Sequence, residues 1–230
     1  NGTKTFISNA PEASVFVTLV TQNSGKGHKG IDSLIVDGDS VGIKVNELHG
    51  KMGVRASTVG EIVFENCHVP ADNRMGGDEV GFRQTMEVLN ASRISIAAQC
   101  VGIAQAALEE SVNYARSRRA FGGPIGNLQA IQWMIADMAT ETEAARQLVM
   151  NVASKYDAGL PFVSEASMAK LFASRVAMEC ANKAVQIHGG AGYFAPAKVE
   201  RLFRDAKVTE IYEGTSEIQR MLIARNILKG

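Results

Sequence analysis

The spacing of hydrophobic and polar positions along this chain changes near residue 75. Before that point, short runs rich in β-branched residues alternate with turns rich in Gly, Asn and Asp. We predict strands over residues 5–8, 15–21, 31–36, 42–48 and 61–65. Several short strands with closely spaced turns are typical of an antiparallel sandwich or barrel rather than of alternating strand–helix units.

After residue 75 the apolar residues recur at the spacing of an α-helix. We predict helices over residues 80–116, as one helix or as two separated by a kink, and over 128–156, 164–188, 199–207 and 216–228. The second helix has an apolar stripe that consists of Ile131, Ile135, Met138, Ala145, Leu148, Val152 and Tyr156. Long helices joined by short loops are expected to pack as antiparallel neighbours.

The ends of these helices carry recognisable capping residues. Gly159 suits a left-handed cap after the second helix, and Pro161 prevents the helix from continuing. Ser164 is positioned to cap the start of the third helix. Ser216, followed three residues later by Gln219, fits a capping box at the start of the last helix.

These elements predict an α+β fold with two domains. A partial antiparallel β sandwich or barrel is expected over residues 1–74, incomplete on its N-terminal side. An all-α domain of the four-helix-bundle type is expected over residues 75–230. The chain opens directly into a strand-like segment, which is more typical of a piece of a longer protein than of a natural start.

Composition restricts the classes of function. Of the 230 residues 46% are apolar, and 24 basic residues balance 24 acidic ones, so the formal net charge is zero. A neutral balance argues against a general binder of nucleic acid or anionic membranes. No apolar run is long enough to span a bilayer. The three cysteines are far apart and form neither a disulfide framework nor a metal-ligand pair, which indicates a reducing compartment.

Two glycine-rich segments match nucleotide-binding fingerprints without the context that those motifs need. Residues 25–30 fit G-x-G-x-x-G, but a predicted strand follows where a helix N-terminus is required, so we interpret them as a hairpin loop. Residues 190–195 follow a helix rather than a strand, which excludes the Rossmann interpretation. The four histidines lack the spacing of metal ligands, and we expect no metal site.

Glu213 is the most informative residue from the chemical point of view. It lies in the segment Tyr212-Glu213-Gly214-Thr215-Ser216, at a turn that leads into the last helix. A carboxylate held at such a turn can act as a positioned base. It can equally be an acidic residue that favours the N-terminus of the helix, and the residues by themselves leave both interpretations open.

Four segments, in order along the chain, resemble those of the acyl-CoA dehydrogenases. Residues 1–9 (NGTKTFISN) resemble the family's N-G-x-K-x-W-I-T-N strand, and residues 116–122 (RSRRAFG), with Gln129-Ala130 after them, resemble its R-x-x-F-G…Q-A segment. Residues 186–193 (QIHGGAGY) resemble its Q-x-x-G-G-x-G-[FY] helix exit. Residues 204–207 (RDAK) and 211–215 (IYEGT) resemble its R-D-[AS]…I-Y-E-G-T run.

The resemblance implies FAD-dependent α,β-dehydrogenation of an acyl-CoA thioester. By matching position, Glu213 abstracts the α proton while flavin N5 accepts the β hydride. Some family members carry the base on the first long helix, immediately before an Arg. The matching position here is Ser92, before Arg93, and a serine cannot serve as that base. The family also begins with a helical domain and an earlier part of the β domain, which would precede residue 1.

The resemblance also assigns binding residues. For the substrate these are Asn90, Arg93 and the backbone of Gly214. For FAD they are Phe6, Ile7, Ser8, Arg118, Phe121, Leu128, Gln129, Gln186, Ile187, Gly189, Gly190, Thr215 and Glu217. Plainer interpretations exist, since Arg93 could be paired inside the bundle, residues 6–8 could form an ordinary amphipathic strand, and Arg118 could be a solvated helix end.

In the family, part of the FAD site comes from a neighbouring subunit. The resemblance therefore implies a homodimer or homotetramer with FAD at the subunit interface, an electron-transfer flavoprotein as partner, and a location in the bacterial cytoplasm or the mitochondrial matrix. No nucleic acid and no membrane span are expected. The alternative is a catalytically incomplete or non-enzymatic helical-bundle module for assembly or binding. An offshoot that binds nucleic acid is disfavoured by the neutral charge.

Overall fold

The computed structural model describes residues 1–76 and 80–228. The chain forms two compact units, with the division between Val88 and Leu89. This division falls inside the first long helix, Gly81–Ser117. Each unit is described by itself below.

The first unit is built from short antiparallel strands, as the sequence predicts. Its strands are β1 (Gly2–Ser8), β2 (Val15–Thr21), β3 (Ile31–Asp37), β4 (Ile43–Glu47) and β5 (Val59–Phe64). One sheet has the order β1-β5-β4, and β2 pairs with β3 as a separate hairpin. All these pairs are antiparallel, and alternate residues such as Phe16, Val36 and Ile62 form the buried core. This is the alternation expected of strands with one solvated face.

The glycine-rich segment after β2 is a connection within this hairpin. Residues Ser24–Gly30 form two short 3₁₀ turns separated by a kink at Gly27, and β3 begins at once at Ile31. The interpretation of residues 25–30 as a hairpin loop is therefore confirmed.

Strand β1 contains an irregularity that the sequence did not predict. Its pairing register with β5 shifts between Lys4 and Ile7, and Phe6 adopts a positive φ of 58°. A bulge of this kind turns a side chain away from the regular alternation. Phe6 is accordingly 78% exposed, although it lies inside a strand.

The helices agree with the predicted ones to within one or two residues at their ends. They are α1 (Gly81–Ser117), α2 (Gln129–Asp157), α3 (Val163–His188), the single turn α4 (Gly190–Tyr193), α5 (Lys198–Lys207) and α6 (Ser216–Leu228). α1 is one helix, which decides between the two alternatives for residues 80–116. A small hairpin of β6 (Arg119–Ala120) and β7 (Gly123–Pro124) separates α1 from α2.

Helices α2 and α3 are antiparallel neighbours, as expected from their short connection. Lys155 forms an ion pair with Glu165 near the connection, whereas Asp137 pairs with Lys183 at the other end. The buried face of α3 is made largely of alanines, which allow close approach of its neighbours: Ala166, Ala169, Ala173, Ala177, Ala181 and Ala184. Met138 and Val152 of α2 fill the same core.

The predicted stripe of α2 is partly wrong. Met138, Ala145 and Val152 are buried, but Leu148 is 37% and Tyr156 50% exposed. The buried residues Met138, Ala145 and Val152 repeat every seven positions, whereas Leu148 precedes the buried Val149 and Tyr156 lies in the last turn of the helix.

The capping residues predicted for two helix starts are wrong, whereas the predicted end of α2 is confirmed. α3 begins at Val163 with Phe162 in the capping position and no side-chain cap, so Ser164 already lies within the helix. At α6 the hydroxyl of Thr215, not of Ser216, accepts the backbone N–H of Ile218, at 3.4 Å. Gly159, with φ 66°, supplies the left-handed residue after α2.

Across residues 1–76 and 80–228, none of the helices combines the length and the apolar character needed to cross a membrane.

Candidate active site

Glu213 lies in a strained loop between a 3₁₀ turn (Val208–Glu210) and α6. Its φ is +53° and that of the following Gly214 is +93°. The left-handed region is unfavourable for a residue with a side chain, so the surrounding structure must hold Glu213 there. Gly214 is required for a second reason, because a Cβ at this position would lie 2.6 Å from Nε2 of Gln219. Backbone strain of this kind is concentrated at functional sites.

The carboxylate of Glu213 is half-buried and is held by α1. The hydroxyl of Ser92 donates a hydrogen bond to Oε2 of Glu213 at 2.5 Å. Ser92 is the position at which some family members would carry the base. Here that position supplies a donor to the carboxylate on the neighbouring loop, a role that the sequence did not reveal.

Arg93, one residue further along α1, is buried next to this carboxylate. Its exposed fraction is 4%, and NH1 donates to Oδ1 of Asn90 at 2.5 Å. Burial lowers the pKa of Arg93 from its usual value, and the charge of Glu213 opposes that shift. The structure thus brings Glu213, Arg93 and Asn90 together and leaves the buried Nε of Arg93 without a hydrogen-bond partner among the described residues.

Two further residues at this loop were missed by the sequence analysis. Lys170 of α3 is fully buried, and its Nζ donates to the carbonyl oxygen of Gly214 at 2.8 Å. Gln219 of α6 is also fully buried, and its Nε2 donates to the same oxygen at 2.9 Å and to that of Glu213 at 3.2 Å. A signal was available, since Lys170 occurs at helical spacing among the core alanines of α3.

The burial of Lys170 is energetically expensive. Desolvation of an ammonium costs several kcal/mol even after relaxation, and it lowers the pKa of Lys170. A hydrogen bond that involves a charged group returns about 1.5–3 kcal/mol. Within the described residues the ammonium has one hydrogen-bond acceptor, the Gly214 carbonyl. Stability alone therefore does not explain a lysine at this position.

The residues before Glu213 are tied to the helices behind the loop. The hydroxyl of Tyr212 donates to Oε1 of Gln99 on α1 at 2.5 Å. Burial raises the pKa of the Tyr212 phenol and raises that of the neighbouring Cys100 thiol to about 11. Both groups are consequently neutral near pH 7, so the buried surroundings of Glu213 contain no further acidic charge from them.

A recess of about 420 Å³ is the second candidate binding region of this unit, after the Glu213 loop. It is lined by several of the predicted FAD-binding residues. Arg118, Ile187, Gly189 and Gly190 line it together with Tyr114 and His188. The rings of Tyr114 and His188 stack with their centroids 4.2 Å apart, and Nδ1 of His188 donates to the carbonyl of Ala184 at 2.8 Å. Gly189 has φ 58° and ends α3, which exposes the backbone of the Gly189-Gly190 pair.

The remaining predicted residues of this unit are placed elsewhere. Phe121 is 91% exposed at the tip of the β6–β7 hairpin, whose central residues both have positive φ, as in a type I′ turn. Leu128, Gln129 and Gln186 are exposed and do not line the recess. Thr215 and Glu217 line a different cavity, of about 790 Å³, between α2, α3 and α6.

In the first unit, the predicted flavin residues form the end of β1. Phe6 and Ser8 are exposed, and Ile7 is half-buried against the core of that unit. The bulge at Phe6 makes this end of the strand different from an ordinary amphipathic strand.

Comparison with known sequences decides the family. The sequence profile described as the acyl-CoA dehydrogenase C-terminal domain matches residues 79–228, and that of the acyl-CoA dehydrogenase middle domain matches residues 1–67. The chain belongs to the acyl-CoA dehydrogenase family. This confirms the resemblance found in the four sequence segments.

Several known proteins are similar over the whole chain. An acryloyl-CoA reductase (NADH) of Anaerotignum propionicum is 48% identical over 229 residues, which cover 100% of this chain and 58% of the reductase. A probable acyl-CoA dehydrogenase of Bacillus subtilis is 50% identical over 230 residues, covering 100% of this chain and 60% of that protein. The chain thus spans somewhat less than two thirds of the length of these relatives.

The fold is likewise that of the family. The structure of butyryl-CoA dehydrogenase from Megasphaera elsdenii matches with a TM-score of 0.96 and 41% sequence identity, over 99% of this chain and 60% of that one. The predicted fold class, small antiparallel sheets followed by a helical domain, is confirmed.

Proposed function

We propose that the protein to which these residues belong is a FAD-dependent acyl-CoA dehydrogenase with Glu213 as the base. The observation that carries the proposal is the geometry of Glu213, a half-buried carboxylate in a left-handed conformation beside the buried Arg93. The surrounding structure has to stabilise this unfavourable backbone conformation, whereas an acidic residue that only favours a helix N-terminus does not need it. The family relationship supports an oxidoreductase that acts on acyl-CoA thioesters.

The residues of the chain account for the proton transfer. The α C–H bond of the thioester breaks, its proton moves to the Glu213 carboxylate, and the negative charge develops on the thioester oxygen. The Ser92 hydroxyl orients the carboxylate through its hydrogen bond to Oε2. The cationic Arg93 favours retention of negative charge in this region throughout the transfer. Asn90 fixes Arg93 and is proposed to contact the CoA portion.

The residues of the second recess suit a pyrophosphate-containing cofactor. Arg118 has no ion pair among the described residues, so its guanidinium is available for a bidentate contact with a phosphate. A Cβ added at Gly189 or Gly190 would meet no atom within 4 Å, so the backbone at the helix exit is open to a ligand. Bound FAD would supply the hydride acceptor for the β hydrogen.

We assign the FAD-binding residues on this basis. Arg118, Gly189 and Gly190 hold the pyrophosphate side of the cofactor of a neighbouring subunit, and residues 6–8 contact the flavin of their own subunit. The other members of the proposed site are Phe121, Leu128, Gln129, Gln186, Ile187, Thr215 and Glu217. The highly exposed Phe121 on its hairpin supports a contact across an interface, in a homodimer or homotetramer.

A second candidate is the reverse reaction, the reduction of an enoyl-CoA. It is favoured by the 48% identity to an acryloyl-CoA reductase. In that direction Glu213 in its acid form would deliver the proton to the α carbon. The residues are the same in both directions, so the preferred direction depends on the relative stabilisation of the acyl-CoA and the enoyl-CoA and on the electron partner. We propose an electron-transfer flavoprotein as that partner.

The test uses the full-length protein and its Glu213→Gln variant. The wild type is titrated with a panel of straight and branched acyl-CoAs in the absence of oxygen, and bleaching of the flavin absorption is followed. Removal of a general base lowers such a rate by about 10²–10⁴-fold. The control is Glu143→Gln, which changes an exposed carboxylate on α2.

We expect the control to bleach like the wild type and Glu213→Gln to bleach at least 10²-fold more slowly. A Glu213→Gln variant that bleaches at the wild-type rate would exclude Glu213 as the base. Full-length protein that purifies without flavin and forms oligomers would favour the non-enzymatic module. Oxidation of the reduced enzyme by enoyl-CoAs but not by an electron-transfer flavoprotein would favour the reductase.

A further inference from the structure

The carbonyl oxygens of the Glu213 loop are held from behind by two buried side chains. The oxygen of Gly214 accepts hydrogen bonds from Nζ of Lys170 and from Nε2 of Gln219, and the oxygen of Glu213 accepts a second bond from the same Nε2. Lys170 and Gln219 come from different helices, α3 and α6. The loop is therefore fixed against two elements at once.

This arrangement determines the direction of the peptide planes. In a trans peptide the N–H points opposite to the preceding C=O. With the oxygens of Glu213 and Gly214 directed towards the buried donors, the N–H groups of Gly214 and Thr215 point away from them. These two peptide planes flank Gly214, whose φ is +93°, and the first of them is also one of the two planes that define the left-handed conformation of Glu213. Loss of either donor would allow these planes to rotate.

We propose that Lys170 and Gln219 are positioning residues that hold the Glu213 carboxylate in its reactive orientation through the carbonyl groups of residues 213 and 214. This proposal rests on the proposed role of Glu213 as the base. Neither side chain bonds to the carboxylate itself, which is bonded by Ser92. The two residues thus act on the backbone, whereas Ser92 acts on the side chain.

The cost of burying Lys170 supports a role of this kind. Desolvation of the ammonium outweighs the attraction of Glu210 and Glu213, and the buried Arg93 adds a smaller repulsive charge. A methionine has similar length without the charge, so Lys170→Met removes the desolvation cost of the ammonium, and the Gly214 carbonyl keeps its hydrogen bond from Gln219. A positioning role therefore predicts that Lys170→Met preserves or raises stability while the reaction slows, as at other sites where stability is exchanged for function.

The experiment measures rate, binding and loop protection in the full-length, FAD-loaded protein. The variants are Lys170→Met, Gln219→Leu and the double variant, with Lys183→Met as the matched control. Lys183 is on the same helix, but it pairs with Asp137 on α2. Flavin reduction by butyryl-CoA is followed by anaerobic rapid mixing. Binding is measured with S-butyl-CoA, a thioether that lacks the carbonyl and cannot be deprotonated, and hydrogen exchange is measured for peptides that contain residues 213–215.

We expect Lys170→Met to slow flavin reduction about 10–100-fold, because a displacement of about 1 Å can cost 10²-fold. Affinity for S-butyl-CoA should change less than threefold, the melting temperature should not fall, and exchange at residues 213–215 should accelerate. Because both donors act on one oxygen, the double variant should lose less than the product of the two single losses. In a Glu213→Gln background, Lys170→Met should cause no further loss of rate.

The proposal is overturned if Lys170→Met reduces flavin at the rate of Lys183→Met, or if exchange at residues 213–215 is unchanged. A fall in rate that is matched by a fall in melting temperature and in S-butyl-CoA affinity would also overturn it, since that pattern indicates a structural role. Failure of the proposed function is distinguishable, because the wild type would then not be bleached, or Glu213→Gln would be bleached normally. The exchange experiment tests the loop in either case, and Gln219→Leu provides the same test if Lys170→Met does not fold.

Discussion

Replacement of glycine by alanine is expected to lower the free energy of unfolding at Gly214 and to raise it at Gly102. Gly214 has φ +93°, and an added Cβ would lie 2.6 Å from Nε2 of Gln219. Gly102 is an exposed residue in the interior of α1, where an added Cβ would meet no atom within 4 Å. Both become alanine, so the difference between the variants reports the backbone conformation and the surroundings rather than the chemistry of the new side chain.

The magnitudes follow from these surroundings. At Gly214 the left-handed conformation costs an alanine about 1–2 kcal/mol, and displacement of the Gln219 amide weakens two hydrogen bonds worth about 0.5–1.5 kcal/mol each. Reduced freedom of the unfolded chain returns about 0.4–1 kcal/mol. We therefore expect Gly214→Ala to lower the free energy of unfolding by about 1–3 kcal/mol. Gly102→Ala should raise it by about 0.5–1 kcal/mol, as for a glycine in a helix interior.

The assay is urea unfolding of the full-length protein, followed by far-ultraviolet circular dichroism. The transition midpoint should move to lower urea for Gly214→Ala and to higher urea for Gly102→Ala, with the slope unchanged for both. If both variants shift in the same direction, or if Gly214→Ala is as stable as the wild type, then the loop does not adopt the left-handed conformation described for it.

Two further predictions concern helix α6 and helix α2. Thr215→Ala should lower the free energy of unfolding by about 0.5–1 kcal/mol through loss of the N-cap. Ser216→Ala should change it by less. Equal losses in urea unfolding would contradict the assignment of the cap to Thr215. Burial and the neighbouring carboxyl group of Glu179 raise the pKa of Glu141. A raised pKa contributes stability below the ordinary pKa that is lost as the pH rises through the folded value, so Glu141→Gln should be more stable than the wild type at pH 7 and lose this advantage at pH 4. A melting-temperature difference that is the same at both pH values would refute the raised pKa of Glu141.

Much of the fold follows from local patterns. The alternation in β2 and β3 and the helical spacing after residue 80 predict these elements closely, because each pattern reflects one buried face. The start of α3 was predicted less well. Ser164 has the right chemistry for a cap, yet the helix begins one residue earlier because its ends are set by packing as well as by local hydrogen bonds.

Two exposed residues of the α2 stripe show the same limit. Leu148 and Tyr156 continue the apolar spacing, but the neighbouring helices do not cover them. A periodic pattern identifies a face of a helix, and the length over which that face is buried depends on the partners. The length of the buried face therefore cannot be predicted from the residues of the helix itself.

For the candidate site, the sequence by itself indicated the family and singled out Glu213 as a candidate base, because a turn with Gly214 and a particular set of neighbours is a local property. The tertiary structure decided what surrounds that carboxylate. Ser92, Lys170 and Gln219 are separated from one another by tens of residues, and they meet at the loop through the packing of α1, α3 and α6. A buried polar side chain has to find a partner wherever the fold places one, and the identity of that partner is fixed by the packing of the helices and not by the residues beside it in the chain.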